Sequence, residues 1–178
     1  MIETSYLLLA GLTLGLLAAA ITDVRESRIP NWVTFSLAGF GIGVQCWEHG
    51  WGGLLFSLEG LMVGLACLLF FYVMGGMGAG DVKLLGAIGA ILGPGQVLYV
   101  FAFTAILGGF YSVALLSNQG GVGYACERVR HFLATLQFTR TLPGGNDSEA
   151  PTAPKLRYAL VLGLGTMMTQ ALLFYGLL

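Results

Sequence analysis

Charged residues are scarce in this 178-residue sequence, and neither sign is in clear excess. Lysine and arginine together number 8, aspartate and glutamate number 9, and the charged fraction is 10%. Proteins that bind nucleic acid usually carry a clustered positive charge, so this balance excludes nucleic acid as an expected partner. The hydrophobic fraction of 56% and the mean hydropathy of +0.81 lie beyond the range of soluble globular domains. The composition therefore predicts an integral membrane protein.

Cysteine and histidine are also rare, and they are not grouped as metal ligands are. The three cysteines, Cys46, Cys67 and Cys126, form no Cys-x-x-Cys pair. The two histidines, His49 and His131, lie far apart and form no cluster. Structural zinc sites use four such ligands at short, regular spacings. The sequence thus predicts no metal site, and it indicates no other cofactor.

Long apolar runs predict an all-α, polytopic membrane protein with about six transmembrane helices. The runs fall at 5–21, 32–46, 54–74, 82–92, 97–116 and 158–177. A helix needs about 20 residues to cross the hydrocarbon core. The run at 82–92 covers only about half of that thickness at roughly 1.5 Å per residue. We therefore expect its charged end to lie below the membrane surface, in a cavity walled by protein.

The basic residues predict which side of the membrane each loop faces. All of them fall after the first, third or fifth run: Arg25, Arg28, Lys83, Arg128, Arg130, Arg140, Lys155 and Arg157. Because cytoplasmic loops are enriched in lysine and arginine, both termini are predicted to lie outside and these loops inside. This alternation is that of a multi-pass membrane protein.

One long polar stretch interrupts the apolar pattern, at 117–156. Within it, Val122, Cys126, Val129, Leu133 and Leu136 recur at helical spacing. This pattern predicts a cytoplasmic amphipathic helix, which either lies on the membrane surface or covers a cavity. We interpret residues 1–178 as a single membrane-embedded domain, with 117–156 as a cytoplasmic loop within it.

Two aspartates lie next to apolar runs on the same predicted side of the membrane. Asp81 follows a glycine-dense stretch that begins at Gly75, and Asp23 ends the first run. One interpretation is that both side chains are simply solvated at helix ends. The other is functional, because ionisable residues at membrane depth are costly. Two neighbouring carboxyl groups can share one proton, so that one acts as a base toward water while the other acts as an acid. Hydrolysis of an amide bond requires one group that acts as a base and another that acts as an acid.

Each aspartate lies in a short polar motif. Residues 23–31 read Asp-Val-Arg-Glu-Ser-Arg-Ile-Pro-Asn, and residues 78–84 read Gly-Ala-Gly-Asp-Val-Lys-Leu. The two motifs resemble those of the type IV prepilin peptidases, which are bacterial membrane aspartyl proteases. By this resemblance, Asp23 and Asp81 match the catalytic pair, and Gly78 and Gly80 match the glycines around the second aspartate. The remaining motif residues are expected to support the site: Arg25, Pro30, Asn31 and Lys83.

The resemblance also implies a substrate class and a location. Family members cut the short basic leader of a type IV prepilin or pseudopilin, ahead of an apolar helix, at the cytoplasmic face. Larger members add a domain with paired Cys-x-x-Cys motifs that accompanies N-methylation. This sequence has no such pair and resembles the short members that serve Flp, or tight-adherence, pili. Methyltransferase activity and oligomeric state are left open, and membrane lipids are expected partners.

Three other functions fit parts of the pattern. Presenilin-like proteases share Gly-x-Gly-Asp, but they place the first aspartate in a Tyr-Asp pair and carry a later Pro-Ala-Leu. Here Thr22 precedes Asp23, and the late triplet is Pro154-Lys155-Leu156. A proton relay or small transporter would use the same two aspartates, although the sequence has no detectable inverted repeat. A non-enzymatic scaffold of a secretion machine is the third.

Overall fold

The computed structural model of the chain describes residues 2–26, 29–73, 77–118 and 158–176. Every regular element in these ranges is an α-helix, which confirms the predicted all-α class. The helices are α1 (Ile2–Glu26), α2 (Asn31–Val73), α3 (Ala79–Leu92), α4 (Pro94–Asn118) and α5 (Tyr158–Phe174). Contacts divide the chain into two compact units. The first comprises residues 1–107 and 157–178, and the second comprises 108–156, of which only the end of α4 is described.

Within the described residues, three helices are long and apolar enough to cross a membrane. The candidate spans are Leu7–Glu26, Asn31–Val73 and Pro94–Tyr111. The last apolar helix, Tyr158–Leu173, is shorter, and α3 has only 14 residues. The membrane character is therefore confirmed, while the count of six spans stays a prediction. The amphipathic helix predicted from Val122 to Leu136 lies outside the described residues.

Helix α2 is interrupted at Gly50, where the chain reverses. Gly50 has φ 56° and ψ −133°, a conformation that only glycine adopts without strain. In a straight helix, Gln45 and Gly53 would lie about 12 Å apart. Here they are in contact, since a Cβ on Gly53 would collide with the carbonyl oxygen of Gln45. The arms 31–49 and 51–73 therefore run side by side. Trp47 and Trp51, 91% and 80% exposed, flank the reversal, as aromatic residues do at a membrane interface.

Helix α3 lies at the centre of the first unit. Val82 and every residue from Leu84 to Leu92 are buried, so this helix is covered on all sides by protein. The second arm of α2 packs so closely against α3 that the two backbones are in contact, because Gly60 and Gly89 face each other without side chains. A Cβ on either glycine would collide with the carbonyl oxygen of the other. The apolar part of the short fourth segment is thus buried within the protein, while the position of its charged end relative to the membrane surface stays a prediction.

The carboxyl end of α3 is fixed by polar side chains from both arms of α2. The last four carbonyl groups of a helix have no partner within it. Here Ser57 Oγ donates to the Ala90 carbonyl at 2.8 Å, and Gln45 Nε2 donates to the Ile91 carbonyl at 3.1 Å. The Gly93 N–H donates to the Gly89 carbonyl at 2.7 Å. These bonds set the depth and rotation of α3, and hence the position of its first turn at the other end.

Candidate active site

The carboxylate of Asp23 is buried near the carboxyl end of α1. Its side chain is only 7% exposed. Among its interactions, Oδ2 accepts a hydrogen bond at 3.2 Å from the backbone N–H of Ala159, in the first turn of α5. The first N–H groups of a helix lack partners within that helix, so Asp23 caps α5 from a distant part of the chain. The bond joins residues 136 positions apart and brings α1 to the start of α5.

Asp81 occupies the first turn of α3 and bonds back to the residue that begins the helix. Gly78 is the N-cap, with φ −77° and ψ 146°. The Asp81 N–H donates to the Gly78 carbonyl at 3.2 Å, and the Gly78 N–H donates to the Asp81 carboxylate. The second bond is the reciprocal half of a capping box. A Cβ on Gly78 would lie 3.3 Å from Asp81 Oδ2, so glycine leaves room beside this carboxylate.

The structure brings the two predicted aspartates together. Asp81 precedes the apolar run of α3 and lies outside the three candidate spans. The pKa of Asp81 is raised from 3.8 to about 6. Burial is the largest cause and the negative charge of Asp23 adds to it, whereas the hydrogen bond from the Gly78 N–H lowers the pKa. The carboxyl group of Asp81 therefore keeps its proton to a higher pH than an ordinary aspartate does, and Asp23 contributes to that rise. That is the electrostatic arrangement in which a pair of acids can act as acid and base.

The other predicted residues form a contact between the two motifs. Lys83 Nζ donates to Asn31 Oδ1 at 2.9 Å and lies 5.7 Å from the centre of the Phe35 ring. A Cβ on Gly80 would lie 3.1 Å from the Cβ of Ile29, so glycine permits close approach of α3 to the segment before α2. The Pro30 carbonyl accepts a hydrogen bond from the Val33 N–H at the start of α2. This junction, Ile29–Asn31 against Gly80–Lys83, fixes the entry to α3.

Arg25 is placed differently from the other predicted residues. It lies in the last turn of α1, and its side chain is exposed. A cation in this position interacts favourably with the negative end of the helix. The sequence also gave no indication of two residues that adjoin the site, Tyr158 and Ala159. Tyr158 is half-buried within electrostatic range of Asp81, and both residues merely begin an apolar run in the sequence.

Comparison with known proteins decides the family. The profile of the type IV leader peptidase family matches residues 10–113, more than half of the chain, and this range includes both aspartates. The chain belongs to the type IV leader peptidase family. The predicted resemblance to type IV prepilin peptidases is thereby confirmed, whereas the resemblance to the short Flp-type members stays a prediction.

Curated relatives of the leader peptidase family match over part of their length. Proteins described as prepilin leader peptidase/N-methyltransferase are 28% identical over 102 residues in Bacillus subtilis (strain 168) and 31% identical over 122 residues in Burkholderia pseudomallei (strain 1026b). These matches cover 56% and 62% of this chain, but only 40% and 37% of the relatives. The chain thus spans about two fifths of the length of the relatives that it matches. No solved structure shows significant similarity to it.

Loss of the bond between Lys83 and Asn31 is expected to have a moderate effect on the peptidase activity that is proposed below. Replacing Asn31 with Leu keeps the shape but removes the acceptor, and in that function we expect leader cleavage to fall about tenfold, since a hydrogen bond to a charged group contributes roughly 1.5 kcal/mol. Asn31→Asp keeps an oxygen acceptor for Lys83 and should restore cleavage to near the wild-type rate.

A double-mutant cycle on the same pair checks that the bond carries the effect. Once Lys83→Met has removed the donor, Asn31→Leu should cost little more, because the two residues act through one contact. Cleavage is measured in membranes with matched protein abundance. Fully additive losses in the double variant would show that the two side chains act independently.

Proposed function

We propose that this chain is a membrane aspartic endopeptidase that removes the short basic leader of type IV prepilins or pseudopilins, including those of Flp-like pili. The observation that carries the proposal is the pairing of Asp23 and Asp81, which come from separate helices and interact electrostatically in a largely buried setting. Membership of the leader peptidase family supports the reaction and the class of substrate. The relatives named as prepilin leader peptidases support it further.

In the proposed mechanism a water molecule lies between the two carboxyl groups. The charged carboxylate takes a proton from this water, whose oxygen attacks the carbonyl carbon of the scissile peptide bond. The neutral carboxyl gives its proton to the carbonyl oxygen, which forms a neutral tetrahedral diol. When the C–N bond breaks, a proton passes to the leaving nitrogen, and the products are the leader's new carboxyl terminus and the new amino terminus of the pilin. Burial strengthens each of these electrostatic interactions.

The proposed location is the inner membrane of a bacterium, with the active site open to the cytoplasm. All eight basic residues follow the first, third and fifth predicted runs, and this distribution supports a cytoplasmic position for the carboxyl end of α1 and the start of α3. Large apolar side chains such as Leu14, Phe35 and Met62 are exposed, which fits contact with lipid acyl chains. A prepilin whose apolar helix lies in the same membrane would then present its basic leader on the correct side.

Co-expression with a candidate precursor tests the proposed function. The protein is produced with a prepilin that has a basic leader, in a bacterial host that lacks its own prepilin peptidase. We expect a leader-sized increase in the gel mobility of the pilin, and a new amino terminus identified by mass spectrometry. If no basic-leader precursor is cut, although another prepilin peptidase cuts the same precursors in the same host, the peptidase function is wrong and a proton relay becomes the better account.

A further inference from the structure

The first turn of α5 contacts the site, although it lies outside the range matched by the family profile, 10–113. Ala159 is fully buried, and its N–H points at Asp23 Oδ2 over 3.2 Å. Tyr158, one residue earlier, lies within electrostatic range of Asp81. The start of one helix therefore adjoins both members of the aspartate pair.

The position of Asp23 on its own helix makes this contact important for its charge. Asp23 lies three residues before the end of α1, where unpaired carbonyl groups carry partial negative charge and disfavour a nearby carboxylate. The N-terminus of α5 has the opposite polarity, and the Ala159 N–H donates directly to the carboxylate. A hydrogen bond from a helix N-terminus favours the ionised form of the group that accepts it.

Asp81 has a less favourable setting for a charge. It too lies at a helix N-terminus and accepts from the Gly78 N–H, but burial and the charge of Asp23 outweigh these effects. The neighbouring cation does not compensate, because the Lys83 ammonium is bonded to Asn31 and lies over the Phe35 ring. The titratable group of α5 within electrostatic range of Asp81 is the phenol of Tyr158, which is neutral at physiological pH.

We propose that the first turn of α5 is a third component of the site, in which the Ala159 N–H keeps Asp23 charged as the base toward water and thereby leaves Asp81 as the proton donor. This inference rests on the proposed peptidase function and assigns the two roles within it. Ala159 acts as a positioning residue, through Asp23. The assignment means that the start of α5 contributes to catalysis without contacting the substrate.

Infrared spectroscopy of the carboxyl groups tests the assignment without any substrate. The wild-type protein is titrated in lipid vesicles between about pH 5 and pH 8, a range that brackets the value of about 6 for Asp81. We expect the C=O stretch of one neutral carboxylic acid to disappear over this range. The band should be absent from Asp81→Asn. It should persist in Asp23→Asn with a lower midpoint, because the neighbouring charge has been removed.

The other outcomes of the infrared experiment overturn the assignment. A band that is lost in Asp23→Asn and kept in Asp81→Asn would reverse the two roles. A band lost in both variants would mean that neither residue holds the proton alone. If the wild type showed no such band, it would contain no neutral carboxyl group that could act as the proton donor. Failure of the peptidase function is distinguishable, because an absence of cleavage with the band assigned to Asp81 would overturn the reaction and leave the division of charge intact.

Two proline variants then test the role of α5. Ala159→Pro removes the N–H that Asp23 accepts, at a first-turn position where helices tolerate proline. Leu160→Pro is the matched control, since residue 160 lies in the same turn, is 42% exposed and is not the donor to Asp23. We expect the acidic limb of the pH profile of cleavage to move up by about one pH unit in Ala159→Pro alone, with the basic limb unchanged. Equal profiles in the two variants, or a shift of the basic limb in Ala159→Pro, would overturn the role of Ala159.

Discussion

Replacing either aspartate of the pair with asparagine is expected to lower leader cleavage at least about a thousandfold. Asparagine keeps the shape of the side chain and most of its hydrogen bonds, but it cannot take up or release the proton. Asp23→Asn and Asp81→Asn should therefore each abolish processing of a co-expressed prepilin. The double variant should be scarcely worse than either single variant, because residues that act as one unit do not contribute additively.

The matched control for these variants is Glu26→Gln, which makes the same chemical change on an exposed side chain three residues after Asp23. It should process the prepilin at the wild-type rate. Loss of fold would not explain the inactivity of Asp81→Asn. The pKa of Asp81 is higher in the folded protein than its usual 3.8, so its contribution to stability falls as pH rises from about 4 through about 6. Asparagine removes this cost, and the melting temperature at pH 7 should be equal to or above that of the wild type.

Adding one methyl group between α2 and α3 is expected to reduce both stability and cleavage strongly. The Cβ of Gly60→Ala would collide with the carbonyl oxygen of Gly89, so the two helices must separate. Overpacking of this kind costs about 1–3 kcal/mol, equivalent to a fall of several degrees in melting temperature. Because α3 carries Asp81, a displacement of about 1 Å should also reduce cleavage about a hundredfold.

Gly43→Ala is the control for the same substitution on the same helix. A Cβ at Gly43 meets no atom within 4 Å, and its side faces outward. Alanine is favoured over glycine within a helix by about 1 kcal/mol, so this variant should be as stable as the wild type or more so. Melting is followed by circular dichroism in detergent, and cleavage is followed in membranes. Similar behaviour of Gly60→Ala and Gly43→Ala would mean that close contact of α2 with α3 does not determine the position of Asp81.

The sequence predicted those features of the structure that depend on local pattern. Apolar runs identified the helical segments, and the run at 82–92 predicted a helix too short to cross a membrane, in agreement with the 14 residues of α3. Asp23 and Asp81 could be paired because each adjoins an apolar run and because the basic residues place both on one side. The family resemblance added the junction residues, and the structure joins Asn31 and Lys83 of that group by a hydrogen bond.

The features that could not be predicted arise from contacts between distant parts of the chain. Gly50 is one of 28 glycines, and nothing in its neighbours shows that the reversal of α2 occurs there and not within the wider polar stretch around it. Whether Gly60 and Gly89 face each other depends on how α2 and α3 are rotated about their axes. Ala159 contacts Asp23 through its backbone N–H, and a backbone group leaves no trace in the residue type.

The central claim is that this chain alone hydrolyses the peptide bond between the leader and the pilin by means of the aspartate pair. The most direct measurement uses the purified protein and one purified prepilin in lipid vesicles, with single-turnover products identified by mass spectrometry. We predict a single cut by the wild type that releases the leader, and no detectable cut by Asp23→Asn or Asp81→Asn at equal abundance. Cleavage at the same bond by either variant at a rate near that of the wild type would contradict the account. So would an intact precursor with the wild type, under conditions in which another prepilin peptidase cuts it.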